Sequence, residues 1–257
     1  MKKPILSTKA KTLSSLSNTL KNAEVLPLFC FSIKDWSKNN KSVIEKINSY
    51  FGKNVSKIVR SSSTKEDNSS LSLAGYFTSE TNIITNEDLV KAIENVIISY
   101  GKNVDSSEEV LVQPMLKNSR MSGVAFNHDP STGSAYKVIN YTIGSNTAGV
   151  TSGTAKTKTF VYFENKKNSD QDINKVANLI EELENLFPKI PLDIEFAFSD
   201  KNKLYLFQVR PLIINKPLGD QETHNSLLEN IKNKISLGQK EHPFLLGKTT
   251  LYGVMPD

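Results

Sequence analysis

The stretch LDIEFAFSDKNKLYLFQVRPL, residues 192–212, constrains the fold more than any other part of this sequence. Polar and apolar residues alternate on both sides of a polar turn, which predicts two antiparallel strands joined as a hairpin. Strand side chains alternate between faces, so Asp193 and Glu195 share one face of the first strand. The opposite face of that strand is Leu192, Ile194, Phe196 and Phe198. On the second strand the alternation predicts one face of Leu206, Gln208 and Arg210 and another of Tyr205, Phe207 and Val209.

Pairing of these strands gathers two carboxylates, an amide and a guanidinium on one surface. Carboxylate and amide oxygens are ligands that Mg²⁺ accepts, and the planar fork of an arginine holds phosphate oxygens. The hairpin therefore resembles one pole of a metal–nucleotide site. The alternative is an ordinary salt bridge between Glu195 and Arg210 on a solvent face. The hairpin alone does not decide between these two interpretations.

Three other features suit phosphate oxygens. Arg60 ends a short apolar run and begins a serine-rich loop, VRSSSTKED, residues 59–67. Gly75 follows where backbone can approach a ligand closely. Lys9 stands at the start of a predicted helix, where the helix dipole does not favour a cation, so an anion is a reason for its presence. Each feature alone also fits an ordinary surface.

Composition excludes several classes of protein. The chain has 257 residues, is 38% hydrophobic and 23% charged, and contains one cysteine, Cys30. No apolar run approaches the length of a membrane span, and no apolar segment follows the basic start as in a secretory signal. One cysteine permits no intramolecular disulfide and suits a reducing cytoplasm. The sequence also shows no P-loop, no zinc-binding cysteine–histidine cluster and no nucleophile–base motif.

The net charge of +5 fits either an ordinary solvated surface rich in lysine or an anionic partner. The basic residues are spread along the chain and do not form a block interleaved with aromatics. A phosphorylated small molecule therefore explains the charge more simply than a nucleic acid, which stays a rival with a steep salt dependence of binding as its signature.

Periodicity predicts a mixed α+β fold with two lobes, a helix-rich front and a β-rich centre. Helices are predicted over residues 9–20, 41–51, 86–100, 170–187 and around 226–235. Strands are predicted over residues 57–59, 109–116, 122–127, 135–142 and 158–163, besides the hairpin. We expect an N-terminal lobe over 1–105, a β-rich lobe over 106–215 and a helix with a linker over 216–257.

Taken together, six motifs in order resemble one family. They are STKA at 7–10, VRSSSTKED at 59–67 with LAG at 73–75, VQPM at 112–115, SGVAF at 122–126 with DP and TG by 133, DIEF at 193–196, and LFQVRP at 206–211. The segment VLPLF at 25–29 is similar to a further family motif. The family is the N-terminal ATP-binding domain of phosphoenolpyruvate synthase and pyruvate phosphate dikinase, an ATP-grasp relative. The resemblance implies a two-lobed, ATP-grasp-like nucleotide-binding fold.

The resemblance also implies roles for particular residues. Lys9, Arg60 and Arg210 would contact the phosphates of ATP, with the two arginines acting on the transferring groups. The loop with Gly75, Thr78 and Ser79 would lie over the phosphates. Gln113 and Met115 would form the hinge strand beside adenine. Glu195 and Gln208 would ligate Mg²⁺, with Asp193 close by.

Several positions depart from the family pattern. Ser7-Thr8 stands in place of two glycines, the run after Gly75 is less polar than usual, and Asn146 replaces an acid. These departures keep open a second reading, a non-catalytic ATP-grasp scaffold used for ligand sensing or partner binding.

In this family ATP phosphorylates a histidine on a separate domain, which then delivers the phosphoryl group to an acceptor. His128, His224 and His242 do not resemble such a carrier. We therefore expect the phosphohistidine and acceptor domains on another part of a longer protein or on a partner chain. The acceptor would be pyruvate or another small molecule. The segment GVMPD at 253–257 is similar to one in relatives that phosphorylate the side-chain amide of L-glutamine.

Overall fold

Two antiparallel sheets form the framework of the protein. The computed structural model describes residues 4–63, 78–101, 104–144, 157–163 and 169–238. Its helices are α1 (Lys9–Leu16), α2 (Ile33–Lys38), α3 (Asn40–Phe51), α4 (Asn86–Ser99), α5 (Gln171–Leu186) and α6 (Gln221–Gly238). Its strands are β1 (Phe29–Ser32), β2 (Lys57–Ser62), β3 (Ser79–Ile83), β4 (Glu109–Pro114), β5 (Ser119–Phe126), β6 (Lys137–Ile143), β7 (Lys158–Tyr162), β8 (Leu192–Ser199) and β9 (Leu204–Pro211).

The four-stranded sheet has the order β1-β4-β2-β3, and the five-stranded sheet has the order β7-β6-β5-β8-β9. All of the pairings between these strands are antiparallel. The predicted α+β class with two lobes is confirmed. Among the described helices, none is long and apolar enough to cross a bilayer.

Each sheet has its own hydrophobic core, and α1 joins the core of the second. The core of the four-stranded sheet contains Val59, Val110 and Val112 together with residues of α3 and α4. The core of the five-stranded sheet contains residues of α5, β8 and β9, and also Leu13 and Leu16 of α1 and Leu111 of β4. Strand alternation explains the split, since Leu111 lies on the opposite face of β4 from its two valine neighbours. That face of the four-stranded sheet therefore looks toward the other lobe.

The chain crosses between the sheets near residues 24–28. Glu24 pairs with the edge of β9, because its amide donates to Leu204 O and its carbonyl accepts from the amide of Leu206, both at 2.9 Å. β1 then begins at Phe29 in the other sheet. This short segment ties the edge of one sheet to the edge strand of the other.

The long amphipathic segments are where prediction and structure agree. The helices predicted over 41–51, 86–100 and 170–187 and the hairpin strands are confirmed within a residue or two at their ends. The first helix stops at Leu16, before the predicted end at residue 20, and the last runs longer than its predicted core. Sequence reasoning missed β1, α2 and β3. The reciprocal cap between Ser32 and Asp35 is a sequence signal that predicts the start of α2.

The strand order does not follow the predicted division at residue 105. β4, which lies beyond that residue, occupies the middle of the four-stranded sheet between β1 and β2. α1, from the other side of it, packs in the core of the five-stranded sheet. The lobes therefore interleave along the chain, and the division into three parts at 105 and 215 stays a prediction.

A β-bulge in β9 corrects the predicted faces of the hairpin. Glu195 pairs with Gln208, whereas Phe196 pairs with Leu206, so Phe207 is an extra residue on the second strand. The bulge changes the phase of the alternation, and Leu206 turns into the core beside Phe196. The predicted grouping of Leu206 with Gln208 and Arg210 is therefore wrong, as is that of Tyr205 with Val209.

Gly123 in the SGVAF motif allows β5, β6 and β8 to pack closely. A Cβ added there would collide with the carbonyl oxygen of Asn140 and lie 2.8 Å from Cζ of Phe196. We expect Gly123→Ala to lower the free energy of unfolding by about 1–3 kcal/mol, because strand backbone cannot yield as a flexible side chain does. Urea denaturation measures this. Val161→Ala on exposed β7 is the control, and equal midpoints for both variants would contradict the expectation.

Arg120 and Asp172 join the start of β5 to the first turn of α5. Both guanidinium NH groups donate to the carboxylate, at 2.6 and 2.7 Å. The hydrogen bonds and charge of Arg120 outweigh the effect of burial and lower the pKa of Asp172. A carboxyl whose pKa is lowered by folding stabilises the fold at pH values above its ordinary pKa. This contribution is lost as pH falls through the folded-state pKa.

We expect Asp172→Asn to lower the free energy of unfolding by about 1 kcal/mol at pH 7. The difference from the parent should start to shrink as pH falls below about 4, the ordinary pKa of an unfolded Asp, and should be lost once pH falls through the lower folded-state pKa. Denaturation at several pH values measures this. Lys203→Met, which breaks the exposed pair with Glu24, is the control and should change little. A difference for Asp172→Asn that stays constant down to pH 3 would contradict the assignment.

Candidate functional site

The hairpin brings its four polar residues together on one face. Glu195 lies opposite Gln208, and Asp193 lies opposite Arg210. The predicted gathering of carboxylates, amide and guanidinium is confirmed, and the Phe207 bulge leaves these two pairs in register. All four side chains point away from the core of their own sheet, where Ile194 and Val209 are buried.

Arg60 reaches this face from β2 of the other sheet. Its NH2 group donates to Oε2 of Glu195 at 3.0 Å, and its NH1 group donates to the carbonyl oxygen of Phe207 at 3.1 Å. The guanidinium thus contacts both the carboxylate and the bulge. Nε of Arg60 is buried and has no hydrogen-bond partner among the described residues. This arginine therefore links the two lobes at the polar face of the hairpin.

Arg210 pairs with Asp193 rather than with Glu195. Its Nε and NH2 donate to Oδ2 of Asp193 at 3.0 and 2.8 Å. Both side chains are largely buried. The alternative of a Glu195–Arg210 salt bridge on a solvent face is therefore wrong, because each carboxylate has a different arginine and the face is covered by the other lobe.

Lys9 lies at the start of α1 and is 4% exposed. It is close enough to Glu195 for its charge to lower the pKa of that carboxyl. A hydrogen bond attaches the start of α1 to the four-stranded sheet, since Ser62 Oγ accepts from the amide of Ala10 at 2.9 Å. Thr8, which stands where the family has glycine, caps the helix and donates to Oε2 of Glu109 at 2.8 Å.

The two carboxyls of the site have opposite electrostatic environments. Burial raises the pKa of Glu195, but Arg60, Lys9 and Arg210 outweigh it, so the net pKa lies below the ordinary value. Burial raises the pKa of Asp193, and the charge and hydrogen bonds of Arg210 offset this only in part. Glu195 is thus the carboxylate held firmly in the charged form that a metal ion requires.

Four of the five predicted loop and hinge residues lie within the described part of the structure. Ser79 begins β3 directly opposite Arg60, with Thr78 before it. Gln113 is buried two residues from Leu111 on the face of β4 that looks toward the other lobe, and its Nε2 donates to Leu26 O at 3.3 Å. Met115 follows β4 and donates through its amide to Ser56 O at 2.8 Å. Gly75 lies outside the described residues, as do Asn146 and residues 64–67 and 253–257.

Glu195 and Gln208 suit a metal ion that shares its coordination with a ligand. They offer a charged and a neutral oxygen donor on neighbouring strands. Within the described ranges no group of three or more His, Cys, Asp and Glu side chains is placed to hold a metal by itself. Mg²⁺ keeps several waters and is commonly bound by one or two carboxylates plus substrate phosphates, so the donor set fits that mode.

The other reactive side chains are engaged elsewhere. Burial, together with Glu109, raises the pKa of the Cys30 thiol to about 12, which disfavours a thiolate nucleophile. His224 packs against the rings of Tyr136 and Phe163, which also contact each other. Nδ1 of His128 lies 3.2 Å from Oδ1 of Asn127. His242 lies outside the described residues.

Sequence reasoning missed the carbonyl of Phe207, which accepts from Arg60. No local sequence signal marks the bulge, because Phe207 is an ordinary strand former. It also missed that Arg60 bridges the lobes, since a contact across 135 positions of sequence has no periodic signature.

Two proteins are similar to parts of this chain. A probable phosphoenolpyruvate synthase of Archaeoglobus fulgidus is 27% identical over 235 residues, covering 72% of this chain and 30% of that protein. An uncharacterized phosphotransferase of Bacillus subtilis, YvkC, is 26% identical over 204 residues, covering 60% of this chain and 24% of that protein. The chain thus spans less than a third of the length of either relative.

Comparison with solved structures gives partial superpositions. A D-alanine–D-alanine ligase from Helicobacter pylori superposes with a TM-score of 0.45 and 16% identity, covering 89% of this chain and 61% of that one. The D-alanine–D-alanine ligase from Coxiella burnetii superposes with a TM-score of 0.46 and 10% identity, covering 91% of this chain and 65% of that one.

The model of the family described as pyruvate phosphate dikinase, AMP/ATP-binding domain, matches residues 34–168, which is more than half of the chain. The predicted resemblance is confirmed, and the α+β class with two lobes is the one expected for it. This chain belongs to the pyruvate phosphate dikinase AMP/ATP-binding domain family.

Proposed function

We propose that this chain binds Mg-ATP between its two sheets, as the nucleotide-binding part of a phosphotransferase of the phosphoenolpyruvate synthase and pyruvate phosphate dikinase type. The observation that carries the proposal is the contact of Arg60 on one sheet with Glu195 on the other. A phosphate-binding cation and a metal-binding carboxylate thereby meet in the cleft between the lobes. Family membership supports ATP as the nucleotide.

The cations around the cleft have distinct tasks. Arg60 approaches Glu195 from β2 of the four-stranded sheet and Lys9 from the start of α1, and both would hold phosphate oxygens. Arg210 is oriented by two hydrogen bonds to Asp193, so its guanidinium plane is fixed before the ligand arrives. Fixed cations stabilise charge that develops on transferring phosphates without reorganising during the reaction.

Glu195 and Gln208 would hold Mg²⁺ together with the phosphates. The metal would neutralise charge on the phosphate oxygens as the transfer proceeds. Arg60 occupies Oε2 of Glu195 in the free protein, so we expect it to exchange this carboxylate for a phosphate when Mg-ATP enters. The ionised state of Glu195 favours metal binding across the neutral pH range.

The acceptor of the first transfer would be a histidine on another domain or chain. Its ring nitrogen would form the bond to phosphorus as the bond to the leaving phosphate oxygen breaks. The phosphohistidine would then deliver the group to a small molecule, pyruvate or another acceptor such as L-glutamine. The match covers only 30% and 24% of the two relatives, which fits a protein whose nucleotide-binding and phosphohistidine functions lie on different domains.

Glu195→Gln separates the roles of metal and arginine. Removal of the negative charge leaves Arg60 unpaired, so we expect metal-free ATP to bind as tightly as to the parent or more tightly. The strengthening of ATP binding by Mg²⁺ should fall by about tenfold or more, since a charged ligand of the metal is gone. Calorimetric titration of ATP with Mg²⁺ and with a chelator measures both.

Arg210→Ala is the companion variant, expected to weaken ATP with and without metal. Asp172→Asn, which lies on the start of α5 away from this face, is the matched control. Retention of the full Mg²⁺ effect in Glu195→Gln would contradict the metal assignment. A folded parent that binds no ATP would favour the non-catalytic scaffold instead.

A further inference from the structure

Lys9 occupies a place in α1 that its own chemistry does not favour. It is the first residue of the helix, where the positive end of the helix dipole opposes a cation, and it is buried, which removes water from its ammonium group. The first turn, Lys9-Ala10-Lys11-Thr12, supplies no acidic residue to offset this. Contacts from outside α1 must therefore hold this turn where it is.

The residues on either side of Lys9 are each held by a strand of the four-stranded sheet. Thr8, the N-cap of α1, donates through Oγ1 to Oε2 of Glu109 at 2.8 Å. Ala10 donates through its amide to Oγ of Ser62 at 2.9 Å. Glu109 begins β4, Ser62 ends β2, and the two residues lie directly opposite each other in the sheet. One pair of facing residues thus holds the turn on both sides of Lys9.

The carboxylate of Glu109 also supplies the negative charge that the first turn lacks. It accepts from the N-cap residue and so lies beside the N-terminus of α1, where an anion is favourable. Lys11 contacts the other carboxylate oxygen, with Nζ 3.1 Å from Oε1, but the side chain of Lys11 is 53% exposed. An ion pair so open to water contributes little, so the hydrogen bond from Thr8 is the main contact.

Tyr100, which follows α4, fixes the two holding residues from a third element. Its hydroxyl accepts from the amide of Ser62 at 2.8 Å and donates to the carbonyl oxygen of Glu109. The backbone of both residues is therefore held at the point where their side chains contact α1. The sheet presents a fixed edge to the turn that carries Lys9.

We propose that Glu109 is a positioning residue that acts through Thr8 to hold Lys9 toward the phosphates of the nucleotide. The inference rests on the proposed function, in which Lys9 holds phosphate oxygens, and adds to it the residue that keeps the lysine in place. A turn that is fixed beforehand has less conformational freedom to lose when the ligand binds, which raises affinity. Glycine has no hydroxyl, so the contact depends on the threonine that this chain has at position 8.

Titration of Mg-ATP on variants of the two residues tests the positioning role. We expect Glu109→Ala and Thr8→Val to weaken ATP binding by about 3- to 10-fold, the value of one hydrogen bond. Thr8→Ser, which keeps the hydroxyl, should bind ATP as the parent does. Lys11→Met removes the exposed contact to the same carboxylate and is the matched control, which should change ATP affinity by less than about twofold.

A double-mutant cycle with Lys9→Met separates positioning from a general effect on the fold. If Glu109 acts through Lys9, Glu109→Ala should weaken ATP binding in the parent and change it little once Lys9 is methionine. A purely structural effect would cause the same loss in both backgrounds. Equal losses in the two backgrounds, or unchanged ATP affinity in Glu109→Ala, would overturn the inference while leaving the proposed function standing.

Acetylation by acetic anhydride provides a readout that needs no nucleotide. Lys9 should react slowly in the parent because its side chain is buried, and about threefold faster or more in Glu109→Ala, where the turn opens more often. Lys57 of β2 is 1% exposed and is the internal control, since its labelling should rise only if the lobe unfolds. Mass spectrometry of peptides measures both rates.

The two readouts distinguish failure of the inference from failure of the proposed function. An unchanged labelling rate at Lys9 in Glu109→Ala, or a rise at Lys9 and Lys57 alike, would show that Glu109 does not position the lysine. A folded parent that binds no ATP overturns the proposed function, and with it the role of Lys9 toward phosphate.

Discussion

The contact of Arg60 with Glu195 and with the Phe207 carbonyl is the interaction on which the rest of the site depends. It joins a side chain of one sheet to the face of the other, and it brings the phosphate-binding side next to the metal-binding side. A guanidinium suits this place because its planar fork donates in two directions at once. The carboxylate and the carbonyl accept from different nitrogens, so the side chain has one arrangement rather than several.

The bulge at Phe207 makes that contact compatible with a packed core. Leu206 is fully buried next to Phe196, and Gln208 still lies opposite Glu195. A regular strand cannot both bury Leu206 and place Gln208 opposite Glu195, because strict alternation would turn Leu206 to the same face as Gln208. The extra residue lets one short strand serve the hydrophobic core at one end and the polar site at the other.

Local sequence patterns predicted most helices and strands and the residue types of the site. The pairing of side chains across the site and the strand order depend on distant contacts. Period-two alternation placed Asp193 and Glu195 on one face, and the motifs around Arg60 and Arg210 pointed to phosphate. The pairing of each carboxylate with its own arginine was not predictable, because it depends on how two lobes meet. The bulge and the place of β4 in the four-stranded sheet were missed for the same reason. Strand order is set by tertiary packing, and period-two patterns do not record it.

α1 has a consequence for how the lobes can move. Leu13 and Leu16 belong to the core of the five-stranded sheet, while the amide of Ala10 is held by Ser62 of the other sheet. The helix α1 therefore contacts both sheets and does not belong to one lobe alone. A hinge motion that opened the cleft would have to carry α1 with one sheet and break its tie to the other. Because Leu13 and Leu16 anchor α1 to the sheet that bears Glu195, opening would keep Lys9 near that carboxylate and move Arg60 away from it, so the charge of the cleft would change with its width.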